Sequence, residues 1–111
     1  MKGEQLLIQN AITKLEMQIK SSSLPPEVKE LSLNQIHRID ISLLSDLSSR
    51  ATPPLTRNNL SYILCFLAGL STKVIAAIFN VEPATVHTSR YRLRARFVKT
   101  GTSFLSSFYS S

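Results

Sequence analysis

The sequence is poor in the residues that build metal centres, disulfides and tight loops. It contains one cysteine, two histidines and three glycines in 111 residues. A single cysteine excludes an internal disulfide and a multi-cysteine zinc site, and the two histidines, His37 and His87, are far apart in the sequence. Three glycines leave little room for a phosphate-cradling loop. We therefore expect no metal and no cofactor.

The sequence also lacks a long apolar run. The longest, residues 62–70, has nine residues, whereas a membrane span needs about 20. The first residues lead into a helical pattern interrupted by polar side chains, unlike the apolar segment of a signal peptide. We therefore expect a soluble protein of a reducing compartment, the cytoplasm, that does not associate with membranes.

Acidic residues are scarce in the second half of the chain. Residues 1–50 carry six basic and six acidic side chains, whereas residues 51–111 carry seven basic side chains and one acid, Glu82. The whole net charge of +6 therefore belongs to the second half. This asymmetry favours a polyanionic partner such as nucleic acid, although a solvated basic surface without a partner would have the same composition.

Hydrophobic residues make up 43% of the chain and recur mainly at helical spacing, which predicts an all-α protein. We expect an N-terminal helical region over residues 1–50, which packs against the rest or dimerises. A helix-turn-helix DNA-binding domain should follow over residues 51–111. The boundary falls in a connector rich in serine and proline, residues 48–54.

The first segment, residues 2–20, has the pattern of an amphipathic helix. Its apolar side chains are spaced four, three and four, as in a heptad seam. The seam consists of Ile8, Ile12, Leu15 and Ile19. Two interpretations remain open for it: packing within the chain, or a homodimer interface between two copies.

Two more helices are expected in the first half. Pro26 is well placed to open a short helix, because its fixed backbone angle suits a first helical turn. The tetrapeptide Ser32-Leu33-Asn34-Gln35 has the form of a capping box, which predicts a further helix over residues 33–48.

The second half has start and stop signals for three short helices. Thr56 and Ser71 are good N-caps for the first two, and Gly69 ends the first. Pro83 opens the third, which we expect over residues 83–99. Two tightly joined short helices, of which the second is basic, are typical of a helix-turn-helix.

The third of these helices is the candidate recognition helix. Arginine occupies every second position from Arg90 to Arg96. Such alternation also fits a strand, but no second strand pattern is present, and the spacing of Val86, Leu93 and Phe97 favours a helix. Those apolar side chains predict the core face. The opposite face then carries Ala84, His87, Thr88, Tyr91 and Arg94.

The four arginines divide between two flanks of this helix. Arg90 and Arg94 lie on one flank, and Arg92 and Arg96 lie on the other. The planar guanidinium fork donates to phosphate oxygens or to a guanine edge. We therefore expect these arginines to contact the two walls of a DNA groove, with one or two of the four remaining solvated and making no contact.

Residues 55–97 resemble the LuxR/GerE-type helix-turn-helix, the output domain of quorum-sensing and NarL/FixJ-like response regulators. The family pattern runs L-T, G-L-S-x-K, I-A, T-V and a closing hydrophobic segment. The matching residues are Leu55, Thr56, Gly69, Leu70, Ser71, Lys73, Ile75, Ala76, Thr85, Val86, Leu93, Arg96 and Phe97. The resemblance implies a four-helix domain with residues 83–99 as recognition helix and a short last helix near residues 102–109.

The resemblance also implies roles for individual side chains. Lys73 and Thr85 would contact the DNA backbone, and His87, Thr88 and Tyr91 would lie on the floor of the groove. These positions agree with the face derived above from helical geometry.

Two departures from the family pattern concern capping. Asn59 and Val74 stand where the family has glutamates that could close capping boxes. We expect each helix to lose some capping, about 0.5–2 kcal/mol at most. Two further departures, His87 and Ser89, replace a lysine and a histidine, so no base preference is carried over from the family.

The sequence therefore predicts a sequence-specific transcriptional regulator that binds double-stranded DNA. It does not predict an enzyme, because no paired carboxylates or nucleophile–base pattern is present. The alternative is a helix-turn-helix module that binds an acidic regulatory partner or a polymerase subunit.

Overall fold

A computed structural model of the chain describes residues 2–50 and 54–98. Over these residues the protein is all-helical, as the hydrophobic spacing predicts. The helices are α1 (Lys2–Ser21), α2 (Pro26–His37), α3 (Ile41–Arg50), α4 (Arg57–Leu67), α5 (Thr72–Phe79) and α6 (Pro83–Val98). None of these described helices combines the length and the apolarity that crossing a membrane requires. The expected short helix near residues 102–109 lies outside the described residues.

The apolar seam of α1 lies in the protein core. Ile8, Leu15 and Ile19 have no exposed surface, and Ile12 is half-buried against the same core. The helix packs against α2, α3, α4 and α5. The homodimer interpretation of the seam is therefore corrected, because three of its four side chains are already fully enclosed within one copy of the chain.

The first half differs from its prediction between α2 and α3. Pro26 opens α2 as expected, but the helix expected over residues 33–48 is broken by a short turn. Ser32 lies inside α2 and is buried, so it caps nothing. The cap is Asp40, whose carboxylate accepts hydrogen bonds from the Ser42 backbone N–H (3.0 Å) and hydroxyl (2.6 Å). A capping side chain at residue 40 starts a new helix there, which interrupts an otherwise continuous apolar pattern.

The first turn of α4 is closed by two reciprocal hydrogen bonds. The Thr56 hydroxyl accepts from the Asn59 backbone N–H, and the Asn59 carboxamide oxygen accepts from the Thr56 backbone N–H, both at 3.1 Å. The expected loss of capping at Asn59 is therefore wrong, because an amide oxygen replaces the carboxylate. In α5 the Ser71 hydroxyl accepts from the Val74 backbone N–H at 3.2 Å, and the Val74 side chain packs against the core.

The two turns between the last three helices require left-handed backbone. Gly69 has φ 75° just after α4, where the Leu70 N–H donates to the Cys65 carbonyl at 3.2 Å. Asn80 has φ 55° at the end of α5. Glycine and asparagine are the residues that adopt this conformation most readily. These turns set the directions in which α5 and α6 leave their predecessors.

Helix α4 is the centre of the fold. All seven side chains of residues 60–66 are buried, so the helix has no solvent side over two turns. It contacts α1 and α2 from the first half and α6 from the second. The helices on the two sides of residue 51, where the charge balance of the sequence changes, therefore pack against each other.

Candidate nucleic-acid interface

Helix α6 packs on α4 and α5 through the apolar face that its spacing predicts. Val86 has no exposed surface and Leu93 is 4% exposed. The third predicted core residue, Phe97, lies among those whose side chains the structure does not describe. With this face buried, the opposite side of α6 is open to solvent.

Five of the predicted DNA-contacting residues of α6 are exposed together on that open side. They are Thr85, His87, Thr88, Tyr91 and Arg92, and Lys73 is exposed in the first turn of α5. Tyr91 is an exposed aromatic residue, with 65% of its surface accessible to solvent. The structure thus brings together most of the residues that the resemblance assigns to DNA contact.

Local contacts orient two of these side chains. The Thr88 hydroxyl donates to the Ala84 carbonyl one turn earlier, at 3.0 Å, which leaves its oxygen lone pairs as the outward acceptor. The Arg94 guanidinium lies 5.8 Å from the centre of the Tyr91 ring, within the range of a cation–π contact. Arg94 itself is half-buried. The exposed face is therefore partly ordered before any ligand binds.

Arg90 differs from the other arginines of α6. It is 7% exposed, and its guanidinium carbon lies 4.7 Å above the centre of the Phe66 ring. Its Nη1 donates to the Thr72 hydroxyl oxygen at 3.3 Å. One side chain of α6 thus contacts both α4 and α5, and burial, followed by the neighbouring charge of Arg94, lowers the pKa of Arg90. The structure does not place this predicted contact on the exposed face.

The other flank of α6 faces α4 across a cavity of about 230 Å³. Arg92 and Arg96 line it from α6, and Asn58 and Asn59 line it from the first turn of α4. No sequence pattern assigns either asparagine to a site. Their positions beside the Thr56 cap, facing the arginine flank, follow only from how the two helices pack.

The inner wall of this cavity is formed by a buried tyrosine. Tyr62 is 5% exposed and stacks on Phe79, with ring centres 4.2 Å apart. Burial raises the pKa of Tyr62 from its usual value, and the nearby Ser89 side chain opposes that effect. The phenol therefore stays neutral at physiological pH and can donate a hydrogen bond.

The electrostatic character of the interface follows from the sequences of its two helices. Neither α5 nor α6 contains an acidic residue, and the neighbouring acid in the chain, Glu82, lies in the turn between them. Across the described residues, no three side chains of histidine, cysteine, aspartate or glutamate lie close enough to hold a metal ion. The chemistry available on α6 is hydrogen bonding and positive charge.

The remaining residues noted in the sequence have structural positions. Cys65 is fully buried in α4, and this burial raises the pKa of its thiol. His37 is exposed on α2, and its Nε2 lies 2.7 Å from Glu16 Oε2 on α1. Both residues lie apart from the exposed face of α6. Comparison of the chain with protein-family models, curated proteins and solved structures gives no match.

Proposed function

We propose that the chain is a sequence-specific DNA-binding transcriptional regulator. Residues 55–97 would act as a LuxR/GerE-type helix-turn-helix, with α6 as the recognition helix. The observation that carries this proposal is the exposed face of α6, where uncharged hydrogen-bonding side chains lie between arginine flanks. The major groove of DNA admits an α-helix, and its base edges are read by such side chains.

The proposal divides the interface into two kinds of contact. His87, Thr88 and Tyr91 would meet base edges, because they lie near the middle of the exposed face of α6. Side chains with a positive charge or a hydroxyl group at the margins of this face would contact phosphates. Such contacts position the protein without reading the sequence. These marginal residues are Lys73, Thr85, Arg92, Arg94 and Arg96.

Arg90 receives a different role in this proposal. Its contacts with Phe66 and Thr72 tie α6 to the two helices that support it. It would therefore set the angle at which α6 enters the groove, as a positioning residue. The left-handed turn at Asn80 supports the same geometry from the other end of α5.

The proposal is tested by selecting bound sequences from a pool of random duplex DNA with the full chain. We expect an enriched sequence, and a binding affinity that falls steeply as salt rises from about 50 to 200 mM. Each phosphate contact should contribute roughly 0.9 to the slope of log affinity against log salt. An affinity that does not depend on salt would contradict the proposal.

Variants separate base contacts from phosphate contacts. Replacing Thr88 or Tyr91 by alanine should change which sequences are preferred, whereas replacing Arg96 should weaken binding to all sequences alike. The same uniform loss from both kinds of variant would contradict this division. Failure to bind random duplex DNA at low and at moderate salt would instead favour a helix-turn-helix that binds an acidic protein partner.

A further inference from the structure

The cavity between α4 and α6 has an unusual set of lining groups. Two guanidinium side chains, Arg92 and Arg96, face two carboxamide side chains, Asn58 and Asn59, across a volume of about 230 Å³. Tyr62 and Ser89 also line it. None of the residues that line the cavity carries a negative charge.

The hydrogen bonds already present decide what the cavity can offer to a ligand. The carboxamide oxygen of Asn59 accepts from the Thr56 backbone N–H. Its NH₂ group is therefore the end of the amide that can serve a ligand, and that group only donates. Guanidinium groups have donors and no acceptors. The cavity is consequently rich in donors, which suits an anion with several oxygens.

A second cavity has a similar volume but a different lining. It measures about 250 Å³ and lies between the end of α1 and the end of α5. Its lining includes Gln18, Ser21 and Asn80 and carries no charged side chain. The difference between the two cavities is the arginine pair, so the two cavities predict different ligands.

We propose that the cavity between α4 and α6 is a phosphate-binding site, held by Arg92 and Arg96 with Asn58 and Asn59. A phosphate group presents three or four oxygens in a tetrahedral arrangement. Donors from two facing helices can reach different oxygens at once, and arginine forks bind phosphate in bidentate fashion. A carboxylate, with two oxygens in one plane, would use fewer of these donors. Arg92 and Arg96 belong to the proposed DNA interface as well, but the binding of phosphate by this cavity is tested without DNA.

Two sources of phosphate have this chemistry. One is the DNA backbone, because exposed Arg92 lies next to the face of α6 that would enter the groove. The other is a free phosphate or the phosphate of a small nucleotide. Inorganic phosphate is the probe for the site, and a comparison of DNA binding in two buffers distinguishes the two sources.

The first measurement is a titration of the full chain with inorganic phosphate, followed by NMR at constant ionic strength. Constant ionic strength removes general screening of exposed charges as a cause of any change. We expect saturable shifts of the side-chain amide signals of Asn58 and Asn59. The absence of saturable shifts would overturn the proposal.

Two asparagine variants form a matched pair for this titration. Asn58→Asp places a carboxylate in the cavity and keeps both arginines, and an acid in a first helical turn is compatible with folding. Asn10→Asp makes the same change of charge at an exposed position on α1. We expect the phosphate concentration at half-saturation to rise about tenfold in N58D and to stay unchanged in N10D. Equal effects of the two variants would overturn the proposal.

The second measurement identifies the source of the phosphate. DNA affinity is compared in chloride and in phosphate buffers of equal ionic strength. Weaker DNA binding in phosphate than in chloride supports the DNA backbone as occupant of the cavity, whereas equal binding supports a free phosphate. Saturable phosphate binding by a chain that binds no DNA would support the site and contradict the proposed function alone.

Discussion

Burial changes what an arginine can do, and α6 contains both cases. Arg92 is exposed, and Arg90, two residues earlier, is 7% exposed against Phe66 and Thr72. An exposed guanidinium that binds a DNA phosphate releases counterions condensed on the DNA, whereas a buried one contributes packing and an oriented hydrogen bond. The two residues therefore predict different consequences of the same substitution.

We expect Arg90→Ala to lower the free energy of unfolding by about 1–3 kcal/mol, because it removes a desolvated cation–π contact and a charged hydrogen bond. It should weaken DNA binding without changing the salt slope. Arg92→Ala is the control: its stability should change by no more than about 0.5 kcal/mol, and its salt slope should fall by about one. Urea unfolding and binding at several salt concentrations measure both effects. A reduced salt slope in R90A at unchanged stability would show that Arg90 contacts DNA directly.

Asp40 gives a prediction for pH dependence. Hydrogen bonds from the Ser42 side chain and backbone hold the pKa of this carboxyl below its usual value of 3.8. The folded state therefore stabilises the ionised form, and this contribution is present above pH 3.8 and is lost as pH falls through the lower pKa of the folded state. We expect the difference in unfolding free energy between the wild type and Asp40→Asn to shrink as the pH is lowered below about 4.

Urea unfolding at neutral pH and at pH 3 tests this expectation. Asn is itself a good N-cap, so Asp40→Asn should keep α3 folded. Ser42→Ala should reduce the pH dependence, and Ser45→Ala, on the same helix, is its control. An unchanged pH dependence in Asp40→Asn would contradict the assignment.

At the scale of single residues, spacing predicted the exposed face of α6 and missed the burial of Arg90. Val86, Arg90 and Leu93 follow one another at helical spacing, so the pattern itself places Arg90 between two core residues. The charge of arginine argued against that position. Only the ring of Phe66 and the hydroxyl of Thr72, both supplied by other helices, make burial favourable.

At the scale of helices, the residues at the helix ends determine where each helix begins and ends. Thr56 and Ser71 cap α4 and α5 as their sequence positions predict. The turn after α5 depends instead on Asn80, whose φ of 55° is left-handed. Residues with a Cβ other than asparagine and aspartate rarely adopt this conformation. Because α6 begins three residues later, strain at this turn acts on the start of α6.

A pair of substitutions at Asn80 measures that strain. Asn80→Gly should leave the protein as stable as the wild type or more stable, because glycine has no Cβ penalty in left-handed backbone. Asn80→Ala should cost about 1–2 kcal/mol. Chemical denaturation of the three proteins provides the comparison. Equal stability of the glycine and alanine variants would show that the turn does not require a left-handed residue.

Helix starts were predicted accurately where one capping residue gives the signal. The prediction failed in the first half of the chain, where two capping signals compete. The box at Ser32 predicts a helix start, although its serine lies in the middle of α2. Asp40 lies inside the helix predicted over residues 33–48, and its carboxylate is what starts α3. A single sequence gives equal weight to both patterns, and the packing of α1 on α2 and α3 selects between them.

At the scale of the whole molecule, the two halves share one core. Leu15 of α1 and Leu60, Ile63 and Leu64 of α4 have no exposed surface, and the two helices pack together. The charge division is read directly from the sequence, but this packing is not, because contacts between distant segments leave no mark in local spacing.

We therefore expect a substitution in α1 to destabilise α6. Leu15→Ala should cost about 2–5 kcal/mol through the cavity that it creates, and amide hydrogen exchange in α6 should accelerate together with that in α1. Met17→Ala is the matched control on the same helix, because Met17 is 65% exposed, and its effect should stay within about 0.5 kcal/mol. Unchanged exchange in α6 of the Leu15→Ala protein would contradict a shared core.

Because α4 packs between α1 and α6, a ligand that binds at α6 also affects the stability of α1. A ligand that binds only the folded chain raises its stability by an amount set by ligand concentration over the dissociation constant, about 2.7 kcal/mol at a hundredfold excess. In a protein with one core, that stabilisation applies to every helix. DNA or phosphate bound at α6 should therefore raise the thermal midpoint of α1, so circular dichroism of the whole chain can report binding without a label.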